Sequence, residues 1–129
     1  MSKNPKIDAL SKFEWTIMNE LWELENASAR DIIDALPENS QRAYTTIQTY
    51  LERLVEKGYL SKKKAGNVNL YQTVIPRDEI VDGATNSFIE RVFQGSGSSL
   101  AAYLIKNKQL RKDDLEQIRQ ILEEGDDDA

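Results

Sequence analysis

The chain has 129 residues, of which 40% are apolar and 30% charged, with a formal net charge of −5. This predicts one ordinary globular domain or two small ones. The absence of cysteine and histidine excludes disulfides, thiolate catalysis, zinc fingers and imidazole chemistry. Because no secretory leader or membrane-spanning run is visible, we expect a cytoplasmic binding protein, without a cofactor or metal, rather than an enzyme.

The N-terminal third of the chain predicts two helices. Apolar residues recur at helical spacing over residues 10–24, in an arc wide enough to indicate a mostly buried helix. Trp15 and Trp22 are therefore expected to pack in the core. Ser28 can cap the second helix, because its hydroxyl can accept a hydrogen bond from a backbone N–H of the first turn. Pro37 ends that helix.

The third predicted helix, over residues 41–57, has two distinct faces. Ile47, Leu51 and Leu54 form its apolar stripe. Gly58 follows directly and suits the left-handed position that often ends a helix. The opposite face carries polar side chains three and four residues apart, namely Thr45, Gln48, Thr49 and Glu52.

A basic β-hairpin is predicted after the third helix. Residues 59–64 and 68–74 are rich in β-forming residues, and Asn67 lies in the turn between them. Residues 40–75 carry a net charge of +4, whereas the segments before and after carry −4 and −5. Phosphate binding requires such a local basic face, although a solvated lysine turn would give the same charge. Three consecutive lysines dominate the hairpin: Lys62, Lys63 and Lys64.

The remaining residues predict further helices. Residues 77–93 carry two apolar rows, which is more apolar surface than a lone surface helix needs. Ser98 or Ser99 can cap a short helix after the glycine-rich break. A last helix is predicted over residues 112–124. The fold class is therefore mainly α.

Three helices followed by a hairpin is the element order of a winged helix-turn-helix. We expect an N-terminal winged-helix DNA-binding domain over residues 1–75, beginning with a frayed arm over residues 1–9. A second, helical domain should follow over residues 76–125. The acidic end of the chain, residues 126–129, is predicted to be disordered.

The polar helix face and the basic hairpin together predict double-stranded DNA as a partner. A major groove about 12 Å wide admits one helix, where glutamine can bond bidentately to adenine and threonine can contact bases or phosphates. Lysines on the hairpin would contact the flanking backbone. The predicted DNA-binding residues are Arg42, Thr45, Thr46, Gln48, Thr49, Lys62, Lys63, Lys64 and Asn67.

Two features keep an alternative open. Glu52 lies on the same face and would repel phosphates unless it pairs with a base amine or a neighbouring cation. Protein-binding winged helices can also present a solvated polar face. A protein-interaction adaptor without operator selectivity is therefore the second hypothesis.

Two strings resemble one family. Residues 10–22 resemble the opening helix of the BlaI/MecI/CopY penicillinase-repressor family, and residues 46–60 resemble its recognition helix and the start of its wing. Tyr71 matches an aromatic residue of the returning wing strand, and the similarity continues through residues 87–100. The resemblance implies a cytoplasmic homodimeric transcriptional repressor, with winged helices that bind a palindromic operator and C-terminal helices that interlock two chains. The resemblance implies that residues 76–125 are a dimerisation domain, and the implied dimerisation residues are Ile80, Ala84, Phe88, Ile89, Val92, Phe93, Leu100, Leu104, Leu115, Ile118 and Leu122.

The chain also departs from the family. Family recognition helices often carry basic residues where this chain has Thr45 and Gln48, so operator sequence and affinity do not carry over. The copper-responsive members have a C-terminal cysteine cluster, whereas this chain has no cysteine. The β-lactam-responsive members are inactivated by a membrane sensor protease that cuts an Asn-Phe bond, for which this chain has Tyr103-Leu104. A regulatory protease partner would therefore need another specificity.

Overall fold

The computed structural model describes residues 9–125. Almost all of the predicted arm and the whole predicted acidic tail lie outside the described residues. The described chain forms two compact units, of which the first ends at Asp82 and the second begins at Gly83. The α-helices and strands in chain order are α1 (Lys12–Leu24), β1 (Asn26–Ala27), α2 (Ala29–Ala35), α3 (Tyr44–Lys57), β2 (Leu60–Ala65), β3 (Val68–Thr73), α4 (Arg77–Phe93), α5 (Gly97–Lys106) and α6 (Lys112–Gly125). A short 3-10 helix, Glu38–Ser40, lies between α2 and α3.

Two serines fix the starts of α1 and α2. The Ser28 hydroxyl accepts a hydrogen bond from the Asp31 N–H, and the Asp31 carboxylate accepts one from the Ser28 N–H, both at 3.1 Å. This reciprocal pair is a capping box, so the predicted cap is confirmed. Ser11 and Glu14 form the same arrangement, which is why α1 begins at Lys12 and not at residue 10.

The first unit has its own hydrophobic core. The three helices pack their apolar stripes together, and Trp15 and Trp22 lie partly buried against them as expected. The hairpin closes the core from one side with Tyr59, Leu60 and Tyr71. The fully inaccessible side chains of the helices are Ile17, Met18, Leu21, Ile32, Ile47, Leu51 and Leu54.

Ile80 also belongs to this core, with only 8% of its surface exposed. The sequence predicted Ile80 as a dimerisation residue, and this stays a prediction. In the structure its own chain covers most of its surface, so Ile80 contributes to the core of the first unit. The first turns of α4 therefore belong to the winged-helix unit.

The predicted hairpin forms, and a short third strand joins it. β2 and β3 pair antiparallel with Leu60 opposite Thr73, and Gly66 supplies the positive φ of the turn. The sheet order is β1-β3-β2. Sequence reasoning missed β1, because two residues are too few to show the alternation that identifies a strand.

The second unit has no core of its own among residues 83–125, where no side chain is buried. Large apolar side chains remain exposed on α4 and α6, including Val92 at 55% and Ile121 at 65%. α5 begins at Gly97 because the Ser96 hydroxyl accepts the Ser99 N–H at 3.1 Å. This corrects the predicted cap at Ser98 or Ser99.

Candidate nucleic-acid interface

The polar face of α3 is displayed as the sequence predicted. Thr45 and Thr49 are exposed, and Gln48 is half-buried one turn beyond Tyr44. Thr46 is half-buried on the other flank of the helix. Because the opposite side of α3 is anchored in the core by three fully buried residues, this face is held rigidly outward.

Thr49 has a defined hydrogen-bonding state. Its hydroxyl donates to the Thr45 carbonyl oxygen at 2.9 Å. The donor is therefore satisfied within the helix, while the oxygen lone pairs and the methyl group remain for a partner. Such a group can accept a hydrogen bond from a base amine or contact a thymine methyl.

The start of α3 differs from the prediction in one respect that concerns Arg42. The helix begins at Tyr44, with Ala43 as its N-cap residue and no side chain capping it. Arg42 therefore lies in the segment before the helix, where its guanidinium donates to the Gln41 carbonyl at 2.9 Å. It is exposed beside the first turn.

Glu52 connects α3 to the wing. Its carboxylate accepts a hydrogen bond from the Tyr71 hydroxyl at 2.6 Å and is held by the Lys62 ammonium at 3.0 Å. These two hydrogen bonds, that of Tyr71 first, lower the pKa of Glu52 below its usual range. Burial and the hydrogen bond to Glu52 raise the pKa of the Tyr71 hydroxyl. The carboxylate that argued against DNA binding is thus neutralised by a cation.

The three lysines of the wing do not form one patch. Lys62 lies opposite Tyr71 and Lys63 opposite Leu70 in the ladder. Successive side chains of a strand point to opposite faces, so Lys63 faces away from Lys62 and Lys64. Among residues 9–125, Lys63 and Lys64 form no ion pair, whereas the charge of Lys62 is compensated by Glu52.

A groove runs between the start of α2, α3 and the tip of the wing. It brings Gln48 and Asn67 to a common surface, although they are far apart in the chain. Sequence reasoning missed Arg30 in this groove, where its guanidinium lies 5.7 Å from the centre of the Tyr44 ring. No pattern could have indicated it, because Arg30 belongs to an acidic stretch of the sequence. The lining residues are Ser28, Ala29, Arg30, Tyr44, Gln48, Asn67, Val68, Asn69 and Tyr71.

A buried ion pair fixes the far end of α3. Glu14 is 1% exposed, and its carboxylate accepts hydrogen bonds from the Lys57 ammonium at 3.0 Å and from the Ser11 N–H at 2.8 Å. Burial would raise the pKa of Glu14, but the hydrogen bonds from the Ser11 backbone and from Lys57 outweigh it and lower this pKa. The pair fastens the last turn of α3 to the first turn of α1.

Two further properties concern only residues 9–125. No group of three or more acidic side chains there could hold a metal ion. None of the helices in that range is both long and apolar enough to span a bilayer.

A three-helix core, a hairpin wing and an outward polar third helix define a winged helix-turn-helix protein. The family model described as Penicillinase repressor matches residues 10–124. The chain belongs to this family, which confirms the resemblance and the predicted class, a DNA-binding transcriptional repressor.

Individual relatives agree with this assignment. The chain is 30% identical to the methicillin resistance regulatory protein MecI of Staphylococcus aureus (strain N315), over 88% of this chain and 92% of that protein. It is 31% identical to the penicillinase repressor of Bacillus licheniformis, over 92% and 93%. The solution structure of the DNA binding domain of the repressor BlaI matches with a TM-score of 0.50 and 32% identity, over 61% of this chain and 93% of that domain.

Proposed function

We propose that this chain acts in the cytoplasm as a homodimeric repressor that binds a palindromic operator. Each protomer inserts α3 into a major groove, and its wing contacts the adjacent backbone. The observation that carries the proposal is the outward face of Thr45, Gln48 and Thr49 on a helix whose other side is buried. The similarity to a domain described as DNA binding supports the same reading.

Base recognition is assigned to the polar face at the centre of α3. Gln48 can bond bidentately to adenine, and Thr49 presents an acceptor and a methyl group. Thr45 and Thr46, in the first turn, lie where a recognition helix approaches base edges and phosphates. The proposed specificity is therefore concentrated in Gln48 and Thr49.

Backbone contacts are assigned to the wing. Lys63 and Lys64 are exposed and lack an ion-pair partner within residues 9–125, so their full charge is available to phosphates. Asn67 at the turn reaches the same groove as Gln48. Lys62 contributes less, because Glu52 already holds its ammonium.

Dimerisation is assigned to the second unit. A helical segment without buried side chains cannot offset the entropy of its own ordering, and its exposed apolar residues require a partner surface. A second copy of the chain supplies one with two-fold symmetry, which matches a two-fold symmetric operator. The proposed contact residues are Ala84, Phe88, Ile89, Val92, Phe93, Leu100, Leu104, Leu115, Ile118 and Leu122.

Selection from random duplexes at near-physiological salt, with the full chain, tests this proposal. We expect enrichment of two inverted half-sites whose centres lie about one helical turn apart or a multiple of it. Failure to enrich any sequence would contradict operator binding and favour the adaptor hypothesis. Sedimentation at micromolar concentration should give a dimer, and a monomer would contradict the assignment of the second unit.

A matched pair of variants tests the reading face. Gln48→Ala should reduce discrimination between the selected operator and random DNA by about 1–3 kcal/mol, because a bidentate contact is lost. Asn19→Ala removes an exposed amide from α1 and should leave discrimination unchanged. Equal behaviour of the two variants in a gel-shift titration would place recognition elsewhere.

A regulatory protease remains a prediction from the sequence. The Tyr103-Leu104 bond lies within α5, and the Tyr103 side chain is 51% exposed. The proposal itself requires neither a protease nor a catalytic step.

A further inference from the structure

Four side chains form a continuous stack between the segment before α3 and the middle of that helix. The Arg42 guanidinium lies 4.7 Å from the centre of the Phe13 ring. The rings of Phe13 and Tyr50 meet edge to face with their centres 4.9 Å apart. The Arg53 guanidinium lies 5.3 Å from the centre of the Tyr50 ring. An aromatic pair on the first unit therefore carries an arginine at each end.

The aromatic part of this stack lies on the flank of α3 away from the wing. Glu52 contacts the wing through Tyr71 and Lys62. Tyr50 precedes Glu52 by two positions, and helix residues two apart point in nearly opposite directions. Tyr50, which carries the stack on α3, and Glu52, which contacts the wing, therefore lie on opposite sides of the helix.

Arg53 also borders the reading face. It lines one shallow surface together with Gln48, Thr49, Glu52 and Glu56, and the Glu52 carboxylate there is already paired with Lys62. Arg53 is exposed, and it has no ion pair among the described residues. Its charge is consequently available to an anion next to the groups that are proposed to contact bases.

We propose that Arg42 and Arg53 bind phosphates of the DNA strand that borders α3 on the side opposite the wing. This inference rests on the proposed function and extends it. A helix in the major groove has a phosphate backbone on each side, and the wing reaches only one of them. Guanidinium groups are well suited to the other, because their planar donors bind phosphate oxygens bidentately.

Phe13 and Tyr50 are then positioning residues. A guanidinium stacked on a ring has lost part of its conformational freedom before DNA arrives, which lowers the entropic cost of the contact. The rings themselves carry no charge. They should affect the strength of the contacts without affecting the number of phosphates neutralised.

Salt titration of operator binding by the full chain tests the two arginines. Each of Arg42→Ala and Arg53→Ala should reduce the slope of log affinity against log salt by about one, because one phosphate contact is lost. Arg77→Ala is the matched control, since Arg77 stacks on Trp22 at 6.0 Å at the start of α4. It should leave the slope unchanged.

The aromatic pair has a different expected signature. Tyr50→Leu should weaken operator binding about two- to fivefold, the equivalent of one exposed cation–π contact, with an unchanged salt slope. In the Arg53→Ala background the same substitution should have a smaller effect, because the group that it positions is gone. Thermal unfolding of each variant separates this effect from a loss of folded protein.

The outcomes distinguish this inference from the proposed function. Unchanged slopes in Arg42→Ala and Arg53→Ala, with selective binding by the unmodified chain, would overturn the phosphate contacts and leave operator binding intact. An unmodified chain that binds no DNA selectively would overturn both. Arg42 and Arg53 are exposed, so the salt slopes of their alanine variants can be interpreted whether or not Tyr50→Leu folds.

Discussion

The two units of this chain contain similar amphipathic helices, but they differ in how far their apolar side chains are buried. In the first unit the apolar stripes meet one another, and residues such as Ile17 and Leu51 lose all contact with solvent. In the second unit, residues 83–125 bury no side chain. An apolar stripe that is covered by its own chain stabilises the fold, whereas an apolar stripe that stays exposed indicates a surface for a partner.

α4 shows both behaviours in one helix. Ile80, near its start, is 8% exposed, whereas Phe88 is 42% and Val92 55% exposed. The family resemblance assigned all three to the same interface, in agreement with their position on one i,i+4 row of the helix. Periodicity identifies which residues share a face but not which neighbour covers it.

The largest effect is expected from separating the units. The fragment 1–82 retains Ile80 and the whole first core, so it should fold as a monomer. It should bind the operator about a hundred- to ten-thousand-fold more weakly than the full chain, because two half-sites no longer act together. Gel-shift titration and sedimentation measure both properties. Binding by the fragment as tight as that of the full chain would contradict the division of roles.

A smaller effect is expected from an ion pair in each unit. Lys57→Ala strands the buried Glu14 carboxylate and should lower the free energy of unfolding by about 2–3 kcal/mol, less than for a fully buried pair because Lys57 is 23% exposed. Arg119→Ala removes two pairs on α6 whose side chains are more than half exposed. It should change stability by less than about 1 kcal/mol.

Urea unfolding followed by circular dichroism at a fixed protein concentration compares these variants. The contrast would fail if Arg119→Ala were as damaging as Lys57→Ala. That result would show that α6 depends on its charges as the first core does.

The first unit was predictable from sequence where local chemistry decides the structure. Ser28 capped α2 and Gly58 ended α3 as expected, because each role is fixed by a single residue and its nearest neighbours. Glu52 was identified as a difficulty, but its partners Tyr71 and Lys62 could not be. Tyr71 lies 19 and Lys62 lies 10 residues away, and both meet Glu52 only after the hairpin folds.

The candidate site was likewise predictable only where residues close in sequence form it. The polar stripe of α3 follows from helical spacing alone and was found. Arg30 and the stack of Arg42, Phe13, Tyr50 and Arg53 were not found as units, because their members come from different elements. Contacts between distant elements leave no periodic signal in a sequence.

A still smaller effect should appear in the acid response of the first unit. The pKa of Glu14 lies below its ordinary value of 4.5 when the chain is folded. Its contribution to stability is therefore complete above pH 4.5 and is lost as the pH falls through the lower, folded-state pKa. In the Glu14→Gln variant, this part of the loss of stability at low pH should disappear.

Fluorescence of Trp15 and Trp22 during urea unfolding measures this response, since the chain has no other tryptophans and both pack against the first core. Glu123→Gln alters an exposed side chain of the second unit and is the control. It should leave the fluorescence-detected decline unchanged. A Glu14→Gln profile identical to that of the unmodified chain below pH 4.5 would contradict the assignment.

The smallest effect is expected from two lysines of the wing, of which one is paired within the chain and the other is not. Lys62 is satisfied by Glu52 within the chain, whereas Lys63 has no ion pair among residues 9–125. Lys63→Ala should therefore lower the salt slope of operator binding by about one, whereas Lys62→Ala should lower it by less, because Glu52 already compensates the Lys62 charge within the chain. Gel-shift titration at several salt concentrations resolves the two. A larger slope change for Lys62→Ala than for Lys63→Ala would mean that Lys62 leaves Glu52 when DNA binds. A side chain that is paired within the free chain would then also contact phosphate.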